Sequence, residues 1–340
     1  MRALALLLAL LLAVPAAARD LRPLTGGTFD AARLRFLATH PAEARPDGTW
    51  LVVALHGCKQ EAGDYARKSG WTDLADTRPL AVLAPQFTGR WSNLNRCWEW
   101  WEEDEALARQ GSVSGALIEA IRAYRRALGP GPTFVTGLSA GGAMAQVLVA
   151  NAPDLFAAQA VVAGVPFGCS LFAAGYDTSC KDDGSCRLPL RHMLDPFPYP
   201  RFTEAASCME HGYGASPEQW RAKLPGRGPW PPVLIVQGAR DPTVDCANAR
   251  ETAQQWAAAQ DAETPRPACD PSLPVFRDGV AHARSDKDGR PAVEVLTIRD
   301  LGHAQPVTAG CGTPDPDDYF AEAPICAAAE AARFFGEVVD

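Results

Sequence analysis

Three short stretches of the 340-residue sequence carry side chains suited to nucleophilic chemistry: Gly137-Leu138-Ser139-Ala140-Gly141, Gly238-Ala239-Arg240-Asp241-Pro242 and Arg299-Asp300-Leu301-Gly302-His303. A serine hydroxyl attacks poorly at neutral pH unless a base takes its proton and a third group holds that base. The order serine, acid, histidine is expected when the serine sits on a sharp strand-to-helix turn and each partner follows a later strand of the same sheet. Ser139 is therefore the candidate nucleophile, Asp241 the candidate acid and His303 the candidate base. Asp241 competes with Asp245 and with a plain Asp-Pro turn. His303 competes with His40, His56, His192, His211 and His282, the last in what reads as a charged loop; only His303 follows both the acid and a core strand. Acyl transfer also needs two backbone N–H groups for the oxyanion. Ala140, next to the serine, offers one, and Cys58, in the His56-Gly57-Cys58 segment after the early strand WLVVAL, offers the other. His56 is then expected to brace that loop.

A sheet must carry these residues to one rim. Residues 33–37 (RLRFL) and 50–55 (WLVVAL) read as strands of an antiparallel hairpin turning at Pro46-Asp47-Gly48. Apolar strands follow at 80–85, 133–136, 157–163, 232–237 and 292–298, and helical periodicity covers 113–128, 140–151, 247–260 and 324–336. Strands alternating with helices specify an α/β fold: a mostly parallel sheet with helices on both faces, here one domain over residues 19–340. Residues 169–230 interrupt the alternation with four cysteines, many prolines and no sustained period. They read as a disulfide-tied cap over the site or as a long surface excursion.

Residues 1–18 have the layout of a secretory signal: Arg2, an apolar run, then Ala16-Ala17-Ala18. The run is short of the ~20 residues a spanning helix needs, so a membrane anchor is the weaker reading. No later apolar stretch is long enough to span, and the chain is expected to be secreted. A net charge of -8 argues against nucleic acid, which demands clustered basic residues. All ten cysteines follow the signal, none in metal-ligand spacing such as C-x-x-C, so disulfides are the better reading. Spacing does not determine connectivity; short separations suggest Cys311 with Cys326 and Cys180 with Cys186.

The stretches LVVALHGCKQEAGDYARKSGWTDLAD, NRCWEWW, VTGLSAGGAMAQVL with AVVAGVPFGC, GHAQPV, CGTPDPDDYF and ICAAAEAARFFG closely resemble the secreted polyhydroxybutyrate depolymerase family of esterases, related to bacterial feruloyl and acetyl esterases. The resemblance runs from about residue 48 onward and weakens across 175–228 and 262–290. It implies an α/β-hydrolase fold and cofactor-free ester hydrolysis by Ser139, Asp241 and His303, with the oxyanion loop on Gly57-Cys58. It also implies a Cys58–Cys97 bridge. The implied substrate is a 3-hydroxybutyrate polyester or its oligomers, or alternatively a feruloyl or acetyl ester of plant polysaccharide. Trp98, Trp100 and Trp101, close to Cys97, are candidates for the wall of an ester-binding groove, or else pack under the cap.

Overall fold

A computed structural model describes residues 21–23, 34–39, 48–89, 94–108, 110–170, 200–226, 228–275 and 277–339. The signal-like residues 1–18, His40, His192 and the Cys180–Cys186 pair lie outside them. β1 (Arg22–Pro23), β2 (Leu34–Ala38), β3 (Trp50–Leu55), β4 (Leu80–Phe87), β5 (Thr133–Leu138), β6 (Ala158–Val162), β7 (Val233–Gly238), β8 (Val280–Lys287) and β9 (Arg290–Ile298) form one sheet in the order β1-β2-β4-β3-β5-β6-β7-β9-β8. From β4 across to β9 every neighbouring pair is parallel. Only the outer pairings, β1 with β2, β2 with β4 and β8 with β9, are antiparallel.

Side chains alternate across a strand, so a sheet covered on both faces feeds two cores. Leu51, Val53 and Leu55 of β3 join one core with Val135, Ile235 and Val295. Val52 and Ala54 join the other with Phe134, Leu234 and Leu296. The first core is closed by α4 (Val113–Leu128), α5 (Ala140–Asn151) and α8 (Ala247–Ala259). The second is closed by α1 (Ala62–Lys68), α2 (Trp71–Thr77) and α9 (Ala327–Val339). The remaining helices are α3 (Glu103–Ala106), α6 (Pro200–His211) and α7 (Pro217–Arg221). This is the α/β-hydrolase arrangement that the alternation and the resemblance imply.

Helices α4 and α5 begin and end where the sequence places them. Ser112 caps α4 by accepting the Gly115 N–H at 3.0 Å, and Gly129, at φ 95°, ends it. Two expectations are corrected. β2 does not form a hairpin with β3: Leu34 lies opposite Phe87 and Ala38 opposite Leu83, so β4 separates the two. The reason is burial. Residues 51–55 are all buried and β3 takes a parallel neighbour on each side, whereas β2 alternates buried and exposed positions and suits the outer part of the sheet. The second correction is at His282, which lies in strand β8 rather than in a loop. As the outermost strand, β8 keeps much of its surface in water, so its polar run hides the strand from a reading based on apolar content.

Disulfides join Cys58 to Cys97, Cys169 to Cys208, Cys246 to Cys269 and Cys311 to Cys326. The first is the bridge implied by the resemblance and the last the one suggested by spacing. No helix among the described residues is long and apolar enough to cross a membrane.

The second core is centred on Phe335, fully buried, its ring stacked on Phe134 at 4.3 Å between centroids and facing Trp71 at 6.3 Å. Phe335→Ala is expected to cost about 3–5 kcal/mol, since the surrounding aromatics cannot collapse into the space. A lowered urea midpoint at unchanged slope would register this loss.

Candidate active site

β5 runs directly into α5, and the residue between them has almost no room. Ser139 sits at φ 56° and ψ -120°, a left-handed conformation uncommon for a side-chain-bearing residue. It is held there by its own N–H donating to the Val162 carbonyl at 2.9 Å and by its carbonyl accepting from Ala143 N–H at 3.0 Å. Glycine is required on both sides. A Cβ on Gly137 would lie 2.3 Å from the Gly141 carbonyl carbon, and one on Gly141 would lie 2.2 Å from the Leu55 carbonyl oxygen. The turn therefore lifts the Ser139 hydroxyl above the sheet and seats the first turn of α5 against the end of β3.

His303, on the loop after β9, spans the gap between the other two groups. Its Nε2 is 2.9 Å from Ser139 Oγ, and its Nδ1 is 2.8 Å from Asp241 Oδ2. Asp241 follows β7, with its side chain fully withdrawn from solvent. The carboxylate's Oδ1 accepts the N–H groups of Thr243 and Val244, each at 2.8 Å, and its Oδ2 accepts Gln237 Nε2 at 3.3 Å. Backbone amides thus fix one carboxylate oxygen and leave the other for the imidazole. Asp245, the competing acid, instead accepts the Ala247 N–H at 2.8 Å at the start of α8. Of the other described histidines, His282 lies on β8 beside Glu294, at 3.2 Å, and His211 near Glu210, at 3.8 Å.

The loop after β3 supplies Cys58. His56 is wholly buried; its Nδ1–H donates to the Gly57 carbonyl at 2.7 Å, and its Nε2 accepts the Phe87 N–H at 3.3 Å. In a trans peptide the carbonyl and the following N–H point opposite ways, so holding the Gly57 carbonyl fixes the direction of the Cys58 N–H. Burial pushes the imidazole pKa down to about 4, so His56 is neutral and its role is to brace. Cys58 is further joined to Cys97, and Lys59 N–H donates to the Asn95 carbonyl at 2.6 Å. Ala140 begins α5, where a first-turn N–H has no acceptor within its helix.

A pocket of about 200 Å³ opens over Ser139, bordered by Cys58, Ala140 and His303. Trp100 and Trp101 line it, as do Ala205 and Met209 from α6. Trp98 does not line it. The indole is fully buried, stacks on Phe87 at 5.6 Å and donates its Nε1–H to the His56 carbonyl at 2.8 Å, bracing the loop from behind. The segment 200–216 borders the site, tied down by Cys169–Cys208 and by Glu251, whose carboxylate accepts the Tyr213 N–H at 2.9 Å. Sequence reasoning missed Gln237, Met209, Gln60 and Tyr319. Tyr319 carries its ring 6.0 Å from that of His303, edge to face. Among the described residues no three or more His, Cys, Asp or Glu side chains gather to hold a metal ion.

Residues 35–186 match the family described as Esterase PHB depolymerase. Over 310 residues the chain is 30% identical to poly(3-hydroxyalkanoate) depolymerase C of Paucimonas lemoignei, covering 87% of this chain and 66% of the relative. It is 30% identical over 219 residues to a probable acetylxylan esterase A of Aspergillus fumigatus, covering 61% of this chain and 50% of that one. The chain therefore spans between half and two thirds of these curated relatives. Among solved structures an acetyl xylan esterase from Aspergillus awamori superposes with a TM-score of 0.65 at 18% identity, covering 93% of this chain and 99% of that one. That likeness is one of fold.

The buried His56 makes the protein acid-sensitive. Its pKa is lower folded, about 4, than its ordinary 6.5, so the associated stability is complete above pH 6.5 and drains away as pH falls from 6.5 to about 4. The full loss is about 3 kcal/mol. Urea denaturation at pH 7 and pH 4 should show wild type losing that much more than His56→Asn, which takes up no proton in this range.

Proposed function

The chain belongs to the Esterase PHB depolymerase family across residues 35–186, and from this we propose that it is a secreted serine esterase acting on 3-hydroxybutyrate polyester or its oligomers. The observation that carries the reading is the continuous relay Asp241–His303–Ser139, with contacts of 2.8 and 2.9 Å. Ser139 Oγ attacks the ester carbonyl while His303 Nε2 takes its proton. Asp241 keeps the Nδ1–H tautomer in place and stabilises the imidazolium as it forms. The carbonyl oxygen becomes an oxyanion, which accepts from the amides of Cys58 and Ala140. Collapse of the tetrahedral intermediate breaks the C–O bond, and the alcohol leaves with the proton held by His303. Water, deprotonated by the same imidazole, then releases the acid and regenerates the serine.

The pocket supports a preference for a short aliphatic hydroxy ester. Trp100, Trp101, Met209 and Ala205 offer an apolar wall to the carbon chain. No carboxylate lines the pocket among the described residues, and Lys59, on its wall, has no ion-pair partner there, whereas nearby Arg96 pairs with Glu61. A cationic residue on the pocket wall suits an oligomer that ends in a free carboxylate. Acetyl esters of xylan require the same chemistry, and the Aspergillus fumigatus relative makes them the second reading. We place the active form outside the cytoplasm, where the four described disulfides persist.

Ser139→Ala and Asp241→Asn should each lower kcat on p-nitrophenyl butyrate by roughly 10⁴-fold with the fold intact; a folded Ser139→Ala variant that keeps most of its activity would refute the assignment. In a panel of 3-hydroxybutyrate oligomers, a polyhydroxybutyrate suspension, acetylated xylan and methyl ferulate, the oligomers should be cleaved fastest. Rapid deacetylation of xylan with no action on the hydroxybutyrate esters would reverse the substrate order.

A further inference from the structure

Behind the oxyanion loop lies a buried amide side chain that joins two distant segments of the pocket wall. Gln60 is 1% exposed. Its Oε1 accepts the Gly57 N–H at 2.7 Å, and its Nε2 donates to the Asp318 carbonyl at 2.6 Å. The orientation of the amide is forced, because a backbone N–H can only donate and a carbonyl can only accept. Gly57 has the greatest backbone freedom of any residue in the loop, and both of its peptides are held: the N–H by Gln60, the carbonyl by His56.

The far end of the bridge is equally well anchored. Lys68 Nζ pairs with the carboxylates of Asp315 and Asp318, each at 2.8 Å, and Cys311–Cys326 closes the segment. Tyr319 comes next in the chain at φ 63°, a left-handed conformation that persists only where the surroundings impose it, and its ring faces His303. We propose that Gln60 is a positioning residue of the ester hydrolysis: it orients the Cys58 N–H by clamping Gly57, and it locks that loop to the segment that sets Tyr319 against His303. The proposal rests on the oxyanion role given to Cys58 above. It makes the loop before the short strand Phe320–Glu322, which supplies no reacting group, a determinant of turnover.

The test uses Gln60→Met and Gln60→Glu in the full chain, assayed with p-nitrophenyl butyrate and with an alkyl trifluoromethyl ketone, whose serine adduct carries an oxyanion. Methionine fills the space with no donor for the Asp318 carbonyl and only a weak acceptor for the Gly57 N–H. Its kcat should fall by about 10²-fold with KM within about threefold, and ketone binding should weaken in proportion to kcat/KM. Glutamate makes both hydrogen bonds when protonated and loses the one to Asp318 when ionised. Its kcat should therefore decline with rising pH where the wild-type kcat is level, and this profile decides the matter if the methionine variant does not fold. A wild-type kcat in Gln60→Met, a loss of kcat with ketone affinity unchanged, or parallel pH profiles for Gln60→Glu and wild type would overturn the proposal. Failure of the esterase reading itself has a different signature, since wild-type Ser139 would then resist labelling by a fluorophosphonate, and both readings would fall together.

Discussion

The site depends on the close packing of Gly141 against the end of β3, where a single methyl group would sit 2.2 Å from the Leu55 carbonyl oxygen. That approach puts the head of α5 beside the loop leaving β3. Two amides that belong to segments more than eighty residues apart, at 58 and 140, consequently border one pocket. The side chains of the relay hang from loops after β7 and β9, and those loops reach Ser139 because β5, β6, β7 and β9 are successive neighbours in the sheet. Parallel pairing brings their carboxyl ends to the same rim, the general place for a site in such a fold.

Around that rim, rigidity comes from several independent sources. Backbone amides saturate one oxygen of Asp241 and leave the other free to take the imidazole. His56 and Trp98 hold the loop after β3 from the core side, and Cys97 holds it from the pocket side. The segment from Pro200 is fastened to Cys169 and to Glu251. Each restraint removes motion before substrate arrives, so less binding energy is spent on ordering the loops.

The parts of this arrangement legible in the sequence are those with a local cause. Ser139 between glycines, Asp241 after VLIVQ and His303 after AVEVLTI each follow from what a strand end must look like, and the structure brings the three together. Helix α4 was legible because its apolar residues recur at helical spacing over 113–128. What was hidden depends on partners far along the chain. Nothing near Gln60 announces that its amide meets residue 318, and nothing near Trp98 tells that it packs inward while Trp100 and Trp101 face the pocket. The misplaced hairpin has the same origin: proximity in sequence favoured β2 with β3, whereas burial of β3 on both sides demanded other neighbours.

Strand β8 has a further consequence. Its outer side, unpaired among the described residues, presents hydrogen-bonding groups that a second sheet edge would find attractive. Alternate positions carry His282, Arg284 and Asp286, followed by Lys287, and a bulge between Ser285 and Asp286 breaks the regular ladder. Arg284 also turns toward Glu337 of the last helix, crossing the strand with an ion pair. Charge and irregularity at this margin discourage strand addition and so protect the chain against edge-to-edge aggregation.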